Sequence, residues 1–233
     1  MEADIQNNMT AILQQIRQTE RQCKRDFNSV KLLAVSKTQS CDAIMQAYTA
    51  GQRAFGENYL QEALEKIQFF VQNSPATKIE WHFIGPIQSN KTAAIAQHFD
   101  WVHSVDRLKI AQRLSQQRPQ NAQPLQLLIQ VNTSGEASKS GVAIDQVLPL
   151  AQQIVTLKNI QLRGLMSIPA ATVDSEQQQL AFQQLADLQQ QIKTHYPQLD
   201  TLSMGMSQDK AAAIAAGSTL VRIGTAIFGS RNN

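Results

Sequence analysis

The sequence predicts a closed (β/α)8 barrel of the TIM type, an α/β fold, with an extra helix in front of the first strand. Short apolar stretches alternate with helical stretches eight times along the chain, which indicates a parallel sheet. Eight units in 233 residues fit one barrel domain that spans residues 1–233. The alternative, a doubly wound open sheet, normally has fewer strands and a G-x-G-x-x-G turn after the first, which is absent here.

The predicted strands are short and mostly apolar. The first ends in Val35, two residues before a lysine, and the fifth is a near-continuous apolar run typical of a sheet covered on both faces. In order, the strands are predicted at Lys31–Val35, 53–56, 79–84, 101–104, 125–132, 162–166, 201–204 and 219–223.

Helical periodicity or a helix-start signal marks each remaining segment. In the first, apolar residues recur at helical spacing, and Ser40 is a candidate N-cap for the second. Glu57, Asp106 and Ser207 are likewise expected to cap the helices that follow them. The predicted helices are 4–23, 43–50, 57–72, 89–98, 106–117, 144–157, 174–195, 208–216 and 224–228.

Composition and charge narrow the function classes. The net charge is only +3 and the basic residues are scattered, which argues against nucleic acid as a partner. Residues 1–25 lack the apolar run of a secretory signal, and no later run is long enough to cross a bilayer. Cys23 and Cys41 suggest neither a metal site nor a disulfide. We therefore expect a cytoplasmic protein without membrane or metal.

The functional site of such a barrel lies at the carboxyl ends of the strands. There, Lys37 follows an apolar strand, and partial burial would lower the pKa of its amine. A lysine of this kind can form an imine with an aldehyde, whereas the alternative is a side chain that simply points into water. The other polar residues at strand ends are Glu57, Asn58, His82, Gln88, Asn90, Ser104, Asn132, Ser167, Ser207 and Thr225.

The last two units favour a phosphate site. Residues 203–209 and 222–226 both pass from a strand into a helix, and Gly224 lets the backbone approach a ligand closely. Phosphate sites in barrels often occupy these two loops. A lysine opposite a phosphate site suits a phosphorylated aldehyde, either pyridoxal 5′-phosphate or a phosphosugar.

Three further residues have two interpretations each. Arg222 shares a strand face with Gly224 and could meet a pyridine nitrogen and keep it unprotonated, or it could form an ion pair at the barrel base. His82 is either a hydrogen-bonded core histidine, the more common case, or a site residue. Lys139 lies in a Ser-Lys-Ser-Gly segment without Walker spacing, which favours a solvated loop lysine.

Seven segments together resemble the pyridoxal phosphate homeostasis protein family, single-domain relatives of the alanine racemase barrel. The resemblance covers nearly the whole chain, and a set this long in this order is specific. The segments are LAVSK at 33–37, FGENY at 55–59, WHFIG at 81–85 with QSNK at 88–91, SKSG at 138–141, RGLM at 163–166, LSMGMS at 202–207 and VRIGTAIFG at 221–229.

The resemblance implies the fold type III barrel of pyridoxal phosphate proteins, with the cofactor held on Lys37 as an aldimine. It implies that Ser207, Gly224 and Thr225 hold the phosphate and that Arg222 faces the ring nitrogen. Asn58, His82 and Met204 complete the expected set of cofactor-binding residues.

Family members are thought to buffer the cofactor or deliver it to apo-enzymes, without established turnover, so no catalytic residue is assigned. The alternatives are a pyridoxal phosphate racemase and a lysine-dependent aldolase. Racemases of this barrel type take a catalytic tyrosine from a second domain of a partner subunit. No such domain is expected here, which favours a non-catalytic monomer.

Overall fold

The computed structural model describes residues 4–134, 140–168 and 175–229. Its strands form a closed barrel in which β1 pairs in parallel with both β2 and β8. The predicted fold class is therefore confirmed. The strands are β1 Lys31–Val35, β2 Ala54–Glu57, β3 Glu80–Phe83, β4 Trp101–Val105, β5 Leu125–Gln130, β6 Ile160–Met166, β7 Thr201–Ser203 and β8 Leu220–Ile223.

Helices surround the barrel, and the extra helix α1 packs against α2, α8 and α9. Asn8 in α1 donates a hydrogen bond to the Ile227 carbonyl at 2.9 Å, which joins α1 to α9. The helices are α1 Ile5–Gln22, α2 Cys41–Thr49, α3 Leu60–Asn73, α4 Thr92–His98, α5 Leu108–Gln117, α6 Ile144–Ile154, α7 Ser175–Lys193, α8 Lys210–Ala215 and α9 Thr225–Phe228, with a 3₁₀ turn at Ser89–Lys91. In the part of the chain described, none of these helices combines the length and the apolar character that a bilayer span requires.

The predicted caps hold at one helix and fail at three. Ser40 accepts a hydrogen bond from the Ala43 amide and caps α2 as expected. Glu57 instead ends β2, buried against a lysine of α3. Asp106 pairs with the adjacent Arg107 guanidinium, and α5 begins after both.

The third failure is Ser207. It lies in a turn that Asp209 closes by accepting from the Met206 amide, so α8 begins at Lys210. In each of these three cases a competing partner or turn replaces the simple cap that the residue type predicts.

Successive side chains of each strand point to opposite faces of the sheet, which gives two apolar layers. One residue set of each strand packs outward against the helices, and the other set fills the barrel interior. Leu32 and Ala34 belong to the outer layer, as do Leu202 and Met204, whereas the interior holds a small cluster of Trp101, Leu128 and Met166. By the same alternation, Leu33, Val35, His82, His103, Ser203 and Arg222 face inward.

Aromatic and cationic side chains stack at the amino end of the strands, which we call the base. The rings of His82 and Trp101 are nearly parallel, with centroids 5.4 Å apart and planes at 7°. The guanidinium of Arg163 lies 5.1 Å from the centroid of Trp101 and pairs with Asp200. Trp101 is only 6% exposed, and a pocket of about 150 Å³ lies beside it, lined also by His82 and Arg163.

Candidate functional site

Lys37 lies just beyond the carboxyl end of β1, at the end of the barrel that we call the mouth. It is half-buried, and it is flanked by the fully buried Ser36 and the exposed Thr38. Thr38 has a φ of 64°, a left-handed conformation that is costly for a β-branched residue. Surrounding contacts must therefore hold this part of the loop in place.

A buried ion pair supplies the first of those contacts. The Lys66 ammonium of α3 donates to the Ser36 carbonyl at 2.7 Å and to the Glu57 carboxylate at 2.8 Å. Ser36 in turn donates its hydroxyl to Glu57 at 2.6 Å. Burial raises the pKa of Glu57, and the neighbouring Lys66 charge and its hydrogen bond act in the opposite direction.

Glu62 holds the other side of the loop. Its carboxylate accepts from the Thr38 amide at 2.6 Å and from Lys66 at 2.5 Å. Both neighbours of Lys37 are thus hydrogen-bonded, directly or through Lys66, to side chains on β2 and α3. The lysine is presented from a fixed backbone, as precise binding requires.

Arg222 lies inside the barrel and is 4% exposed. Its guanidinium donates to the carbonyl and hydroxyl of Ser203 at 2.7 and 2.8 Å and to the Ser167 carbonyl at 2.8 Å. Burial lowers the pKa of Arg222 to about 10, which still leaves it charged at neutral pH. No ion pair forms with it among the described residues, so the base ion pair considered from the sequence is not found.

Gly224 brings the end of β8 against the end of β1. A Cβ on Gly224 would lie 3.2 Å from the carbonyl oxygen of Val35, which is tighter than an ordinary contact. Thr225 is exposed and opens α9, whose first amides have no acceptor within the helix. Ser207 is half-buried in the neighbouring β7–α8 turn. The predicted phosphate residues therefore lie in adjoining loops at the mouth, next to the strand that carries Lys37.

Several buried polar atoms near the mouth have no hydrogen-bond partner in the described structure. They are Glu57 Oε2, Asn58 Oδ1, Thr133 Oγ1 and Ser167 Oγ, and each residue ends a strand or closely follows one. Unsatisfied buried groups are uncommon in folded proteins, and a ligand is one way to satisfy them. The Thr133 and Ser167 hydroxyls can donate to a ligand, the Asn58 oxygen can accept from one, and the free amides at the start of α9 suit an anion such as phosphate.

Two predicted residues lie away from the mouth opening. His82 bonds to Glu80 and His103 in the interior, so it is the satisfied core histidine that the sequence also allowed. Met204 is fully buried in the outer layer, its amide donates to the Leu220 carbonyl, and its carbonyl accepts from the Ser218 hydroxyl at 2.7 Å. Lys139 lies outside the described residues.

Sequence reasoning missed two interior polar residues linked to Arg222: Ser203, which accepts from it directly, and His103, which contacts Ser203. His103 and Ser203 both occupy inward positions, and both bond within the same polar chain. A detectable signal existed: each is a polar residue at an alternate position of an otherwise apolar strand. Among the described residues, no cluster of three or more His, Cys, Asp or Glu is placed to hold a metal ion.

A depression of about 590 Å³ lies at the base, lined by Arg53, Glu80, Asp100 and Arg118 among others. It is at the opposite end of the barrel from Lys37, and none of the predicted site residues lines it. We therefore assign the candidate site to the mouth.

A closed parallel barrel with a lysine after its first strand and an arginine on its last defines a class, and the family "Alanine racemase, N-terminal domain" matches residues 8–232. A pyridoxal phosphate homeostasis protein of Vibrio alginolyticus is 60% identical over 99% of each chain. Its counterpart in Escherichia coli K12 is 50% identical over 98% of this chain and 97% of its own. The chain belongs to the pyridoxal phosphate homeostasis protein family.

Solved structures agree with this assignment. PipY of Synechococcus elongatus with pyridoxal phosphate bound is 35% identical, with a TM-score of 0.77 over 92% of this chain and 100% of that chain. An unknown protein of Bifidobacterium adolescentis is 36% identical, with a TM-score of 0.87 over 96% and 94% of the two chains. Alanine racemase of Corynebacterium glutamicum, 17% identical with a TM-score of 0.65, covers 97% of this chain and 62% of its own, and it shares the fold.

Proposed function

We propose that this protein binds pyridoxal 5′-phosphate through Lys37 and holds it for supply to other proteins, without turnover of its own. The observation that carries the proposal is that Lys37, Arg222 and Gly224 lie on the adjoining strands β1 and β8 or just after them, at one mouth. An amine, a guanidinium and a close-approach glycine are thus on neighbouring strands. PipY, whose structure is 35% identical, was solved with this cofactor.

The chemistry is a reversible condensation. Lys37 would hold the cofactor by reversible condensation of its amine with the aldehyde, with one water molecule released. Ser207, Gly224 and Thr225 would hold the phosphate, and the N–H groups of Arg222 not used by Ser203 and Ser167 would donate to the ring nitrogen. Asn58 directly follows β2, and its side-chain oxygen, which has no partner in the described structure, would contact the cofactor as well.

Holding without turnover is supported by relatives that span nearly the same length and are named for homeostasis. A racemase remains the competing hypothesis. Incubation with L-alanine and a panel of other amino acids, followed by chiral analysis, decides between them. Measurable interconversion above a Lys37→Ala control would contradict the proposal.

The attachment point has a direct test. Purified protein loaded with the cofactor should absorb in the visible range, lose that absorbance on borohydride reduction, and carry the label on the peptide containing Lys37. Lys37→Ala should abolish the label, whereas Lys91→Ala, an exposed lysine also near the mouth, should keep it. A label that survives in Lys37→Ala would overturn the assignment.

The proposal also covers the recipients of the cofactor, the oligomeric state and the cellular compartment. Apo-enzymes that need pyridoxal phosphate would be the recipients, and the protein would act as a monomer in the cytoplasm. Cys23 and Cys41 are both free thiols, which is compatible with a reducing compartment.

A further inference from the structure

The interior of this barrel carries a line of polar side chains where branched apolar residues usually dominate. Glu80 Oε1 lies 2.8 Å from His82 Nε2, and His82 Nδ1 lies 2.9 Å from His103 Nε2. His103 Nδ1 is 3.1 Å from Ser203 Oγ, which accepts from Arg222 at 2.8 Å. Residues of four strands, β3, β4, β7 and β8, thus form one continuous chain of hydrogen bonds.

The carboxylate fixes the direction of every hydrogen bond in that chain. An ionised carboxylate only accepts, so His82 must carry its proton on Nε2. Its Nδ1 is then an acceptor, and His103 must donate from Nε2. The remaining nitrogen of His103, Nδ1, accepts from the hydroxyl of Ser203, which leaves the oxygen of Ser203 free to accept from Arg222.

Burial and charge agree with this arrangement. His82, His103 and Ser203 are at most 1% exposed, whereas the Glu80 side chain is 47% exposed at the base. Burial lowers the pKa of both histidines, so both are neutral, as a one-proton chain requires. The chain therefore has a cation at Arg222, an anion at Glu80 and only neutral groups between them.

We propose that Glu80, His82, His103 and Ser203 are positioning residues that orient Arg222 and set the donor strength it presents at the mouth. This inference rests on the proposed cofactor site, because Arg222 acts there on the ring nitrogen. In this proposal Arg222 touches the cofactor, and Glu80, His82, His103 and Ser203 do not.

The physical reason is polarisation along the chain. Each donor strengthens the next acceptor in a low-dielectric interior, so the Glu80 charge makes Ser203 Oγ a better acceptor for Arg222. Three of the five N–H groups of Arg222 are engaged by Ser203 and Ser167, which leaves two for a ligand. A ring nitrogen that accepts from one of these stays unprotonated, since the guanidinium does not give up its proton at neutral pH.

A pair of variants at the base tests the chain at a distance from the mouth. Glu80→Gln removes the charge but keeps an acceptor for His82, and Asp200→Asn removes a neighbouring base carboxylate that pairs with Arg163 outside the chain. We expect Glu80→Gln to weaken pyridoxal phosphate binding by about threefold and to shift the absorbance maximum of the bound cofactor. Asp200→Asn should leave both unchanged, and equal behaviour of the two variants would overturn the proposal.

Histidine tautomers provide a second test that needs no cofactor. Long-range ¹H–¹⁵N NMR spectra of the apo protein at neutral pH should show His82 and His103 as neutral Nε2–H tautomers. An Nδ1–H tautomer or a charged ring at either position would overturn the chain. If the tautomers are as expected and wild type does not bind the cofactor, the proposed function fails while the hydrogen-bonded chain stands.

Discussion

The Lys66 ammonium donates to the carbonyl of Ser36, the residue immediately before Lys37, at 2.7 Å. Lys66 is itself 5% exposed and pairs with Glu57 and Glu62. One buried lysine thus fixes the backbone from which a second lysine is presented. Lys66 itself is not available to a ligand, because its ammonium donates to Ser36, Glu57 and Glu62.

Replacement of Lys66 by Met should therefore affect both stability and binding. Removing one partner of a buried ion pair strands the other charge, which typically costs about 3 kcal/mol or more. We expect a lower urea midpoint and weaker cofactor binding, because the Ser36 carbonyl loses its donor as well. Lys109→Met, on an exposed face of α5, is the control and should change neither. Unchanged binding in a folded Lys66→Met protein would show that the loop is held by other contacts.

Gly224→Ala tests the close approach of β8 to β1. The added Cβ would lie 3.2 Å from the Val35 carbonyl, so one strand end must shift by a few tenths of an ångström. We expect a loss of stability of about 1 kcal/mol and a larger loss of cofactor affinity.

Gly51→Ala is a matched control for this substitution. Its φ of 101° makes a side chain there similarly costly, by about 1 kcal/mol, but it has open space and lies at the end of α2. Binding titrations and thermal unfolding of both variants separate the two effects. Equal affinities would argue against a ligand at Gly224.

Arg222→Gln tests the role of the guanidinium. Glutamine keeps a neutral donor but loses the charge and most of the three hydrogen bonds to Ser203 and Ser167. Loss of a charged hydrogen bond of about 1.5–3 kcal/mol predicts cofactor affinity lower by at least tenfold. Equilibrium dialysis against the cofactor measures it, and circular dichroism verifies the fold. A folded variant with wild-type affinity would contradict the placement of the ring nitrogen.

Stability should fall in mild acid because of His82 and His103. Burial lowers the pKa of both in the folded state, so below pH about 6.5 the unfolded chain binds protons that the folded chain does not. The free energy of unfolding therefore has its full value above that pH. It decreases as the pH falls further, by up to about 1.4 kcal/mol per pH unit for each histidine. Urea unfolding at pH 7.5 and 5.5 measures this change. If the free energy of unfolding were the same at both pH values, the buried histidines would take up protons in the folded state as readily as in the unfolded state.

The barrel was predictable because apolar strands and amphipathic helices leave a local signal at every unit. Lys37, Arg222 and Gly224 are predicted as site residues by the same logic, since strand ends of a barrel meet at one mouth. The partners of Glu57 were not predictable, because the alternative of a helix cap is equally consistent with its residue type. The contact of His103 with Ser203 joins positions 100 residues apart and depends on strand register, which a shift of one residue would invert.

The side chains of Arg163, Trp101 and His82 stack at the base of the barrel, and a pocket of only about 150 Å³ remains beside them. Trp101, Leu128 and Met166 and the hydrogen-bonded polar side chains fill the interior, so a ligand at the proposed site would enter and leave through the mouth. If the protein delivers its ligand as proposed, a recipient protein would have to approach the same face that a new ligand uses. Under the proposed function, loading and delivery would then compete for one opening.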